Sequence, residues 1–453
     1  MDRGAEADAG RLPRRAVLRR GLLAGVGALG GCSLFDGPST DGPEGPPDPD
    51  DVTATGSEGR PTPTGSGTGT HGAEPADREP TPAERERAVT PDAQSPAGEW
   101  RVAQADDART GWKADALGPE SPVETAWSVG LGGGVQGSVT VADGLAYAGR
   151  AGGSVTAVET VDGVVRWMHE LDGGVRATPT VADGLVYCGD ESGDLVAVGA
   201  ADGTEQWSFS VAGDRPGPTA VRSGPVVGES VAYVGATDGR VYAVGTDDGG
   251  ERWSFDVGGF LGVVAPVALA DSRVFAGSYA GRLYALGAGD GSERWRYPGM
   301  DETRAWSGPT VADGVVYAGG VPGGVFAVGA GDGSERWHVS TDRPAFASPA
   351  VADGTVYAGT DGGNVLALAA ADGSERWRRE AGGAVKSSPV VVGETVVFGT
   401  TAGAVVALDT ADGRERWRFG ADGAVTSSPA VVDGRAYVGD ATGQVYAVGT
   451  GER

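Results

Sequence analysis

Ser348-Pro-Ala-Val-Ala-Asp-Gly-Thr-Val-Tyr-Ala-Gly359, Gly363-Asn-Val-Leu-Ala-Leu368 and Ala371-Asp-Gly-Ser-Glu-Arg-Trp377 follow closely on one another in the chain. Short β-branched and aromatic runs alternate with Asp-Gly and Gly-Gly turns, and Asp-Gly supplies the positive φ angles that tight hairpins require. No run keeps a helical period over a useful length. The stretch therefore reads as successive antiparallel strands with a tryptophan near its end. Tryptophans recur at Trp127, Trp167, Trp207, Trp253, Trp295, Trp337, Trp377 and Trp417, with spacings of 40, 40, 46, 42, 42, 40 and 40. A period near 40 belongs to propeller blades or to helical arrays. The local pattern selects blades of four short strands.

Counting the units closes a ring. Seven complete units lie between Trp127 and Trp417, and an eighth supplies three strands before Thr450-Gly-Glu-Arg453. The strand around Glu124-Thr-Ala-Trp127 fills the gap, which removes an exposed sheet edge. The expected fold is an all-β, eight-bladed propeller closed by an N-terminal strand. Each of the eight tryptophans is expected to press its ring against the next blade while its N–H finds a carbonyl, a structural post and not a cofactor contact.

The Ala-x-Asp-Gly-x-Glu-Arg-Trp stretches ending at Trp337 and Trp377, with the one-residue variants ending at Trp207 and Trp417, resemble those of the quinoprotein (pyrroloquinoline-quinone-type) propeller family. The resemblance runs from about Trp100 to the end, and Trp100-Arg-Val-Ala-Gln-Ala-Asp-Asp-Ala-Arg-Thr-Gly111 is similar to the lead-in before many such propellers. In that family the tryptophan docks between blades.

Ahead of the repeats the chain reads differently. Arg11-Leu-Pro-Arg-Arg-Ala-Val-Leu-Arg-Arg20 precedes the short apolar run Gly21-Leu-Leu-Ala-Gly-Val-Gly-Ala-Leu-Gly-Gly-Cys32. A basic region before an apolar run too short to span a bilayer is a signal peptide. Arg14 and Arg15 resemble the twin-arginine export signal, and Leu29-Gly-Gly-Cys32 resembles a lipobox with Cys32 as the lipidated residue. Residues 32–97 are rich in Pro, Gly, Ser, Thr and acidic residues, cannot bury enough surface to offset ordering entropy, and read as a disordered tether open to O-glycosylation. The expected organisation is a signal peptide over 1–31, a tether over 32–97 and the propeller over 98–453. The expected location is the outer face of the cytoplasmic membrane.

The formal net charge is −26, and of the 36 basic residues only Lys113 and Lys386 are lysines. An acidic, lysine-poor chain of this kind implies a halophilic, archaeal-type protein kept hydrated in concentrated salt. The alternative is an ordinary acidic protein of a GC-rich genome. Either way, charge repulsion argues against a nucleic-acid partner.

Catalytic constellations are sparse. The resemblance to quinone-dependent dehydrogenases implies vicinal cysteines beside the quinone, a Ca²⁺ site and an aspartate on long inserted loops. The two cysteines, Cys32 and Cys188, are far apart, and Cys188 falls on the strand Val186-Tyr-Cys-Gly189, where it is expected to be buried. The histidines His71, His169 and His338 show no metal-ligand spacing with the cysteines, and His169 and His338 fall on outer strands as expected surface positions. Most carboxylates belong to Asp-Gly turns that they help to form.

The connections leading from each tryptophan strand to the next Ser-Pro strand vary most, as in Ala212–Pro218, Pro298–Trp306 and Thr341–Phe346. Variable loops on a rigid scaffold are where binding usually resides. Three residues before the aligned proline the blades carry Gln136, Arg176, Arg222, Val263, Trp306, Phe346, Lys386 and Thr426. If these enter the innermost strands they ring the channel mouth, and Gln136, Arg176, Arg222, Trp306, Phe346 and Lys386 form the candidate site for an anionic or aromatic small molecule or an acidic peptide. The competing reading has the arginines neutralising loop carboxylates such as Asp172 and Asp301.

The expected function is a non-catalytic, lipid-anchored cell-surface scaffold with a monomeric head, a protein partner, no metal and no cofactor. It resembles the lipid-anchored propeller of the bacterial outer-membrane protein assembly machinery in fold and anchoring, although a host without an outer membrane has no such machine. Alternatives are a small-molecule or quinone-like cofactor binder at the channel mouth and, more remotely, a quinone-dependent dehydrogenase.

Overall fold

The computed structural model describes residues 99–451 apart from 103, 115, 212–218, 259–261 and 300–304, with the backbone alone at 305–306. The described residues hold strands and turns and no helix. Eight sheets follow one another around an axis, seven of them built on four consecutive strands; two of the seven carry a fifth, two-residue strand, Trp112–Lys113 on blade 7 and Ala305–Trp306 on blade 5. These are blades 1 to 7, residues 140–170, 180–210, 226–256, 268–297, 310–339, 350–380 and 390–420. Blade 8 takes three strands from residues 430–450 and its outermost strand, Val123–Gly130, from the N-terminal side. That strand pairs antiparallel with Gln444–Thr450 over its whole length, Val123 opposite Thr450 and Gly130 opposite Gln444. The ring is closed, and both ends of the repeat array share one sheet.

Blade 6 shows why the sequence folds this way. Its first strand, Ala350–Ala352, turns into Thr355–Gly359 through Asp353 and Gly354, whose φ angles of 46° and 66° are those of a mirror-image hairpin turn. The next two strands, Thr355–Gly359 and Asn364–Ala369, are buried nearly throughout because a neighbouring blade covers each face of the sheet. The outer strand, Glu375–Glu380, is exposed except at Trp377. The short first strands touch those of the neighbouring blades, so they line the axis.

The second Asp-Gly of each repeat has a different task. The Asp372 carboxylate accepts the Ser374 N–H at 2.9 Å, and Gly373, at φ +74°, lies flat on the Trp337 ring of the preceding blade. A Cβ there would come within 2.9 Å of the indole, so glycine is required by contact as well as by backbone angle. The indole N–H of Trp337 donates to Ala370 O at 2.8 Å, one blade on. The same bond joins Trp127 to Thr160 O, Trp167 to Ala200 O, Trp207 to Thr246 O, Trp253 to Ala288 O, Trp295 to Ala330 O and Trp377 to Thr410 O. Trp417 differs: it is buried, yet its N–H has no acceptor among the described residues. It faces the composite blade 8, where the turn that supplies the carbonyl elsewhere is replaced by the junction of the two chain segments.

Cys32, Arg14, Arg15 and the 32–97 tether lie outside the described residues. Cys188 is 1 % exposed in the core between blades 2 and 1, with its thiol pushed upward by burial.

Candidate functional site: the channel mouth and its floor

The first strand of each blade runs away from the face on which the blade-to-blade connections arrive. On that face the channel opens as a funnel with roughly 530 Å³ of empty space continuous with solvent. Gln136, Arg176, Arg222, Phe346, Lys386 and Thr426 all line it. Val263 does not: it is fully buried against Gly235 in the core between blades 3 and 4, and Val264 takes its place at the wall. The backbone of Trp306 pairs with Gly320 at the edge of blade 5, and its side chain lies outside what the structure describes. Of the variable connections, 212–218 and 300–304 also lie outside.

Ion pairs tie the rim cations together. Glu191 receives Arg222 through both oxygens, Nε at 2.7 Å and Nη2 at 2.6 Å, and stands 3.3 Å from Arg176 Nε. Arg176 also donates to Gln136 Oε1. Lys386 Nζ lies 3.5 Å from Asp361 Oδ1. The carboxylate between the two arginines therefore comes from the hairpin turn of blade 2 and not from the connection carrying Asp172; Asp301 lies outside the described residues. Sequence reasoning missed Glu191 because its approach to Arg222 crosses from one blade to the next.

Below the rim runs a belt of hydroxyls. Ser348 N–H donates to Ser388 Oγ, Ser388 N–H to Ser428 Oγ, Ser428 N–H to Ser138 Oγ and Ser138 N–H to Thr178 Oγ1, all at 3.0–3.1 Å. Four hydroxyl oxygens are thus taken as acceptors, and each keeps its proton to donate.

The lead-in closes the far end. Val181 N–H donates to Arg101 O, Leu269 to Asp107 O, Val311 to Ala108 O, Val351 to Thr110 O and Val391 to Gly111 O, while Trp100 bridges Val141 and Gly434 N–H reaches Leu117 O. The described residues of 100–117 therefore circle the axis and satisfy innermost-strand N–H groups that would otherwise face the channel unpaired. Two polar side chains of this plug are buried inside the ring, Gln104 at 0 % and Arg109 at 3 % exposure. Gln104 Nε2 is held by Ser348 O and Pro349 O at 3.2 and 3.0 Å, and Arg109 lines the funnel as its floor. Burial lowers the Arg109 guanidinium to about 10, against the opposing charge of Asp106, and raises the Asp106 carboxyl in spite of its hydrogen bonds to Thr110. Desolvation, with Asp106 adding to it, lifts Asp107 to about 7. Glu99, the first described residue, is bonded to Arg101 and Lys113 near Asp143, on the face opposite the funnel.

His169 is 3.6 Å from Glu205 at the outer edge, away from the funnel. His338 departs from the expected surface position: it stacks on Phe326 at 4.5 Å and its Nε2 is buried. Among the described residues no three His, Cys, Asp or Glu side chains cluster as metal ligands.

Residues 101–260, 237–386 and 380–453 match the protein family described as outer membrane protein assembly factor BamB, with the repeat array covered from end to end. The chain belongs to that family. Its ring superposes on the crystal structure of BamB from Moraxella catarrhalis with a TM-score of 0.61 at 20 % identity, covering 74 % of this chain and 99 % of the other. It also superposes on quinohemoprotein alcohol dehydrogenase from Comamonas testosteroni, with a TM-score of 0.67 at 16 % identity over 80 % of this chain and 82 % of that one. A europium-containing methanol dehydrogenase gives a TM-score of 0.68 at 14 % identity over 78 % and 98 %. At these identities the shared property is the fold. No curated protein matches the sequence.

Proposed function

We propose that this BamB-like propeller is a non-catalytic scaffold, exported through Arg14 and Arg15, anchored by Cys32 at the outer face of the membrane, and engaged with a protein partner on its rim. The observation that carries the reading is the outer edge of blade 1. Outer strands of blades 2 to 7 begin with Glu205, Glu251, Glu293, Glu335, Glu375 and Glu415, whereas blade 1 begins with Val165. Val161, Val164, Val165 and Met168 are 75, 55, 40 and 44 % exposed within this one stretch. On a chain of net charge −26, such a concentration of apolar side chains has the character of a protein contact. The start of the described chain on the face opposite the funnel supports a head whose funnel looks away from the anchor.

The test uses full-length protein in its native membrane. Val165→Glu with Met168→Arg gives blade 1 residues of the kind other blades carry and should change stability by less than about 0.5 kcal/mol. Chemical cross-linking followed by mass spectrometry should then lose a partner that the unaltered protein captures; a variant that retains every partner refutes the assignment. Cys32→Ser should move the protein from the membrane to the soluble fraction.

A resident quinone has less support. Cys188 is buried away from the funnel, and the rim cations are engaged by Glu191 and Asp361, so the donor set does not fit the cysteine-paired site that the enzymes' resemblance implies. We therefore propose neither a cofactor nor a catalytic step. Dye reduction after adding pyrroloquinoline quinone with Ca²⁺ would overturn this.

A further inference from the structure

Three layers of the funnel can be ranked by how well their charge is already satisfied. At the rim each cation has a carboxylate partner. In the belt the hydroxyl oxygens of Ser138, Thr178, Ser388 and Ser428 are occupied, and among the described residues no acceptor takes their protons. On the floor Arg109 is 3 % exposed, its Nη2 makes one long bond of 3.3 Å to Gln104 Oε1, and its Nε is buried without a partner. No carboxylate forms an ion pair with it among the described residues. The nearest acidic group, Asp106, spends its oxygens on Thr110 N–H at 2.8 Å and on the Thr110 hydroxyl. A buried cation without an ion-pair partner is costly, and a guanidinium fork is shaped for an oxyanion. Among the described residues the funnel lining contains the cations Arg109, Arg176, Arg222 and Lys386 and no acidic residue.

We propose that the funnel floor is a binding site for one carboxylate group, held by the Arg109 guanidinium and by proton donation from the hydroxyl belt. The site goes beyond the scaffold reading and does not depend on it. Chemistry alone admits two sources, a free small acid or the terminal carboxylate of a peptide that enters the funnel. The cations at the rim draw either one inward. Glu191 and Asp361 pair with those three rim cations and leave one net positive charge there, while the deepest cation, Arg109, has no ion pair among the described residues and is the place where a negative charge gains most.

The experiment is a titration of the full-length protein with acetate replacing chloride at constant ionic strength, read by calorimetry and thermal denaturation. A saturable response is expected, with Tm rising by about 4 °C at a hundredfold excess over Kd. Arg109→Gln should weaken acetate at least tenfold, and Arg109→Lys should keep most of the affinity. Triglycine with a free terminus, compared with its amide, separates the sources: selective competition by the free form assigns a chain end, and acetate binding without competition assigns a free acid. No saturable response to either probe, or an unchanged response in folded Arg109→Gln, overturns the proposal. If Arg109→Gln does not fold, crystals of the unaltered protein soaked in bromide decide: anomalous density against Arg109 supports the site, and density only elsewhere refutes it. None of these results bears on partner capture at blade 1, so the two readings fail independently.

Discussion

Replacing Trp377 with phenylalanine should destabilise the ring more than replacing Trp417, although the two occupy equivalent places in the repeat. Both are equally buried, at 6 and 5 % exposure, so the loss of ring area and the void left behind are closely matched. They differ in what the indole N–H does. That of Trp377 donates to Thr410 O at 2.8 Å, and removing it strands a turn carbonyl at the junction of blades 6 and 7. That of Trp417 has no acceptor to lose among the described residues. A neutral hydrogen bond contributes about 0.5–1.5 kcal/mol net, so the gap between the two variants should be about 1 kcal/mol. Because a ring of this size has a large unfolding entropy, that gap appears as only roughly 1–2 °C in Tm. Urea titration followed by far-ultraviolet circular dichroism is the better assay, since it does not depend on the fluorophores being removed. Equal losses, or a greater loss at Trp417, would refute the view that the interblade N–H bond stabilises seven junctions and is missing at the eighth.

Further outcomes follow from other junctions. Gly359→Ala would place a Cβ 2.9 Å from Val385 Cβ and tighter still against its Cγ1, which should cost about 1–3 kcal/mol, and Val385→Ala in the same chain should recover part of it in a double-mutant cycle. Glu191→Gln leaves Arg176 and Arg222 side by side at the rim, so Tm should fall at low salt by the equivalent of about 1 kcal/mol and the deficit should shrink as salt is raised. Asp107 carries a pH signature. Its folded pKa is raised from 3.8 to about 7, so the folded chain holds a proton that the unfolded chain releases between those values. Stability contributed by the protonated form is complete at the acid end and declines as pH rises through that window. Asp107→Asn should therefore raise Tm above pH 7 and change it little near pH 4; the opposite ordering in melts across that range would show that Asp107 is not desolvated.

How much could be read in advance depended on how far apart the interacting residues lie. The tryptophan period, the Asp-Gly hairpins and the missing eighth outer strand are local signals repeated many times, and the closing pair Val123–Gly130 with Gln444–Thr450 follows from counting them. Aligning the blades also brought Gln136, Arg176, Arg222, Phe346 and Lys386 to one mouth, because identical blades project aligned positions to the same height. The alignment could not see Val263 turned into the interblade core, nor His338 stacked on Phe326, since those depend on which neighbour leaves room. Glu191 was overlooked for the same reason. Arg109 had one available signal: Gln104–Gly111 is the polar stretch nearest the array that fits no repeat.

The sequence by itself determined the blade, the number of blades and the way the ring shuts, because hairpin turns and buried strands are specified by residues a few positions apart and copied around the chain. Only the tertiary structure decided what occupies the axis. Closing the ring sets the innermost strands around a shared channel, and their inward N–H groups must find carbonyls from a segment that no periodicity describes. The described residues of 100–117 supply them by passing blade after blade, and that path, not any local pattern, buries Arg109 at the bottom of the funnel with no ion-pair partner among the described residues.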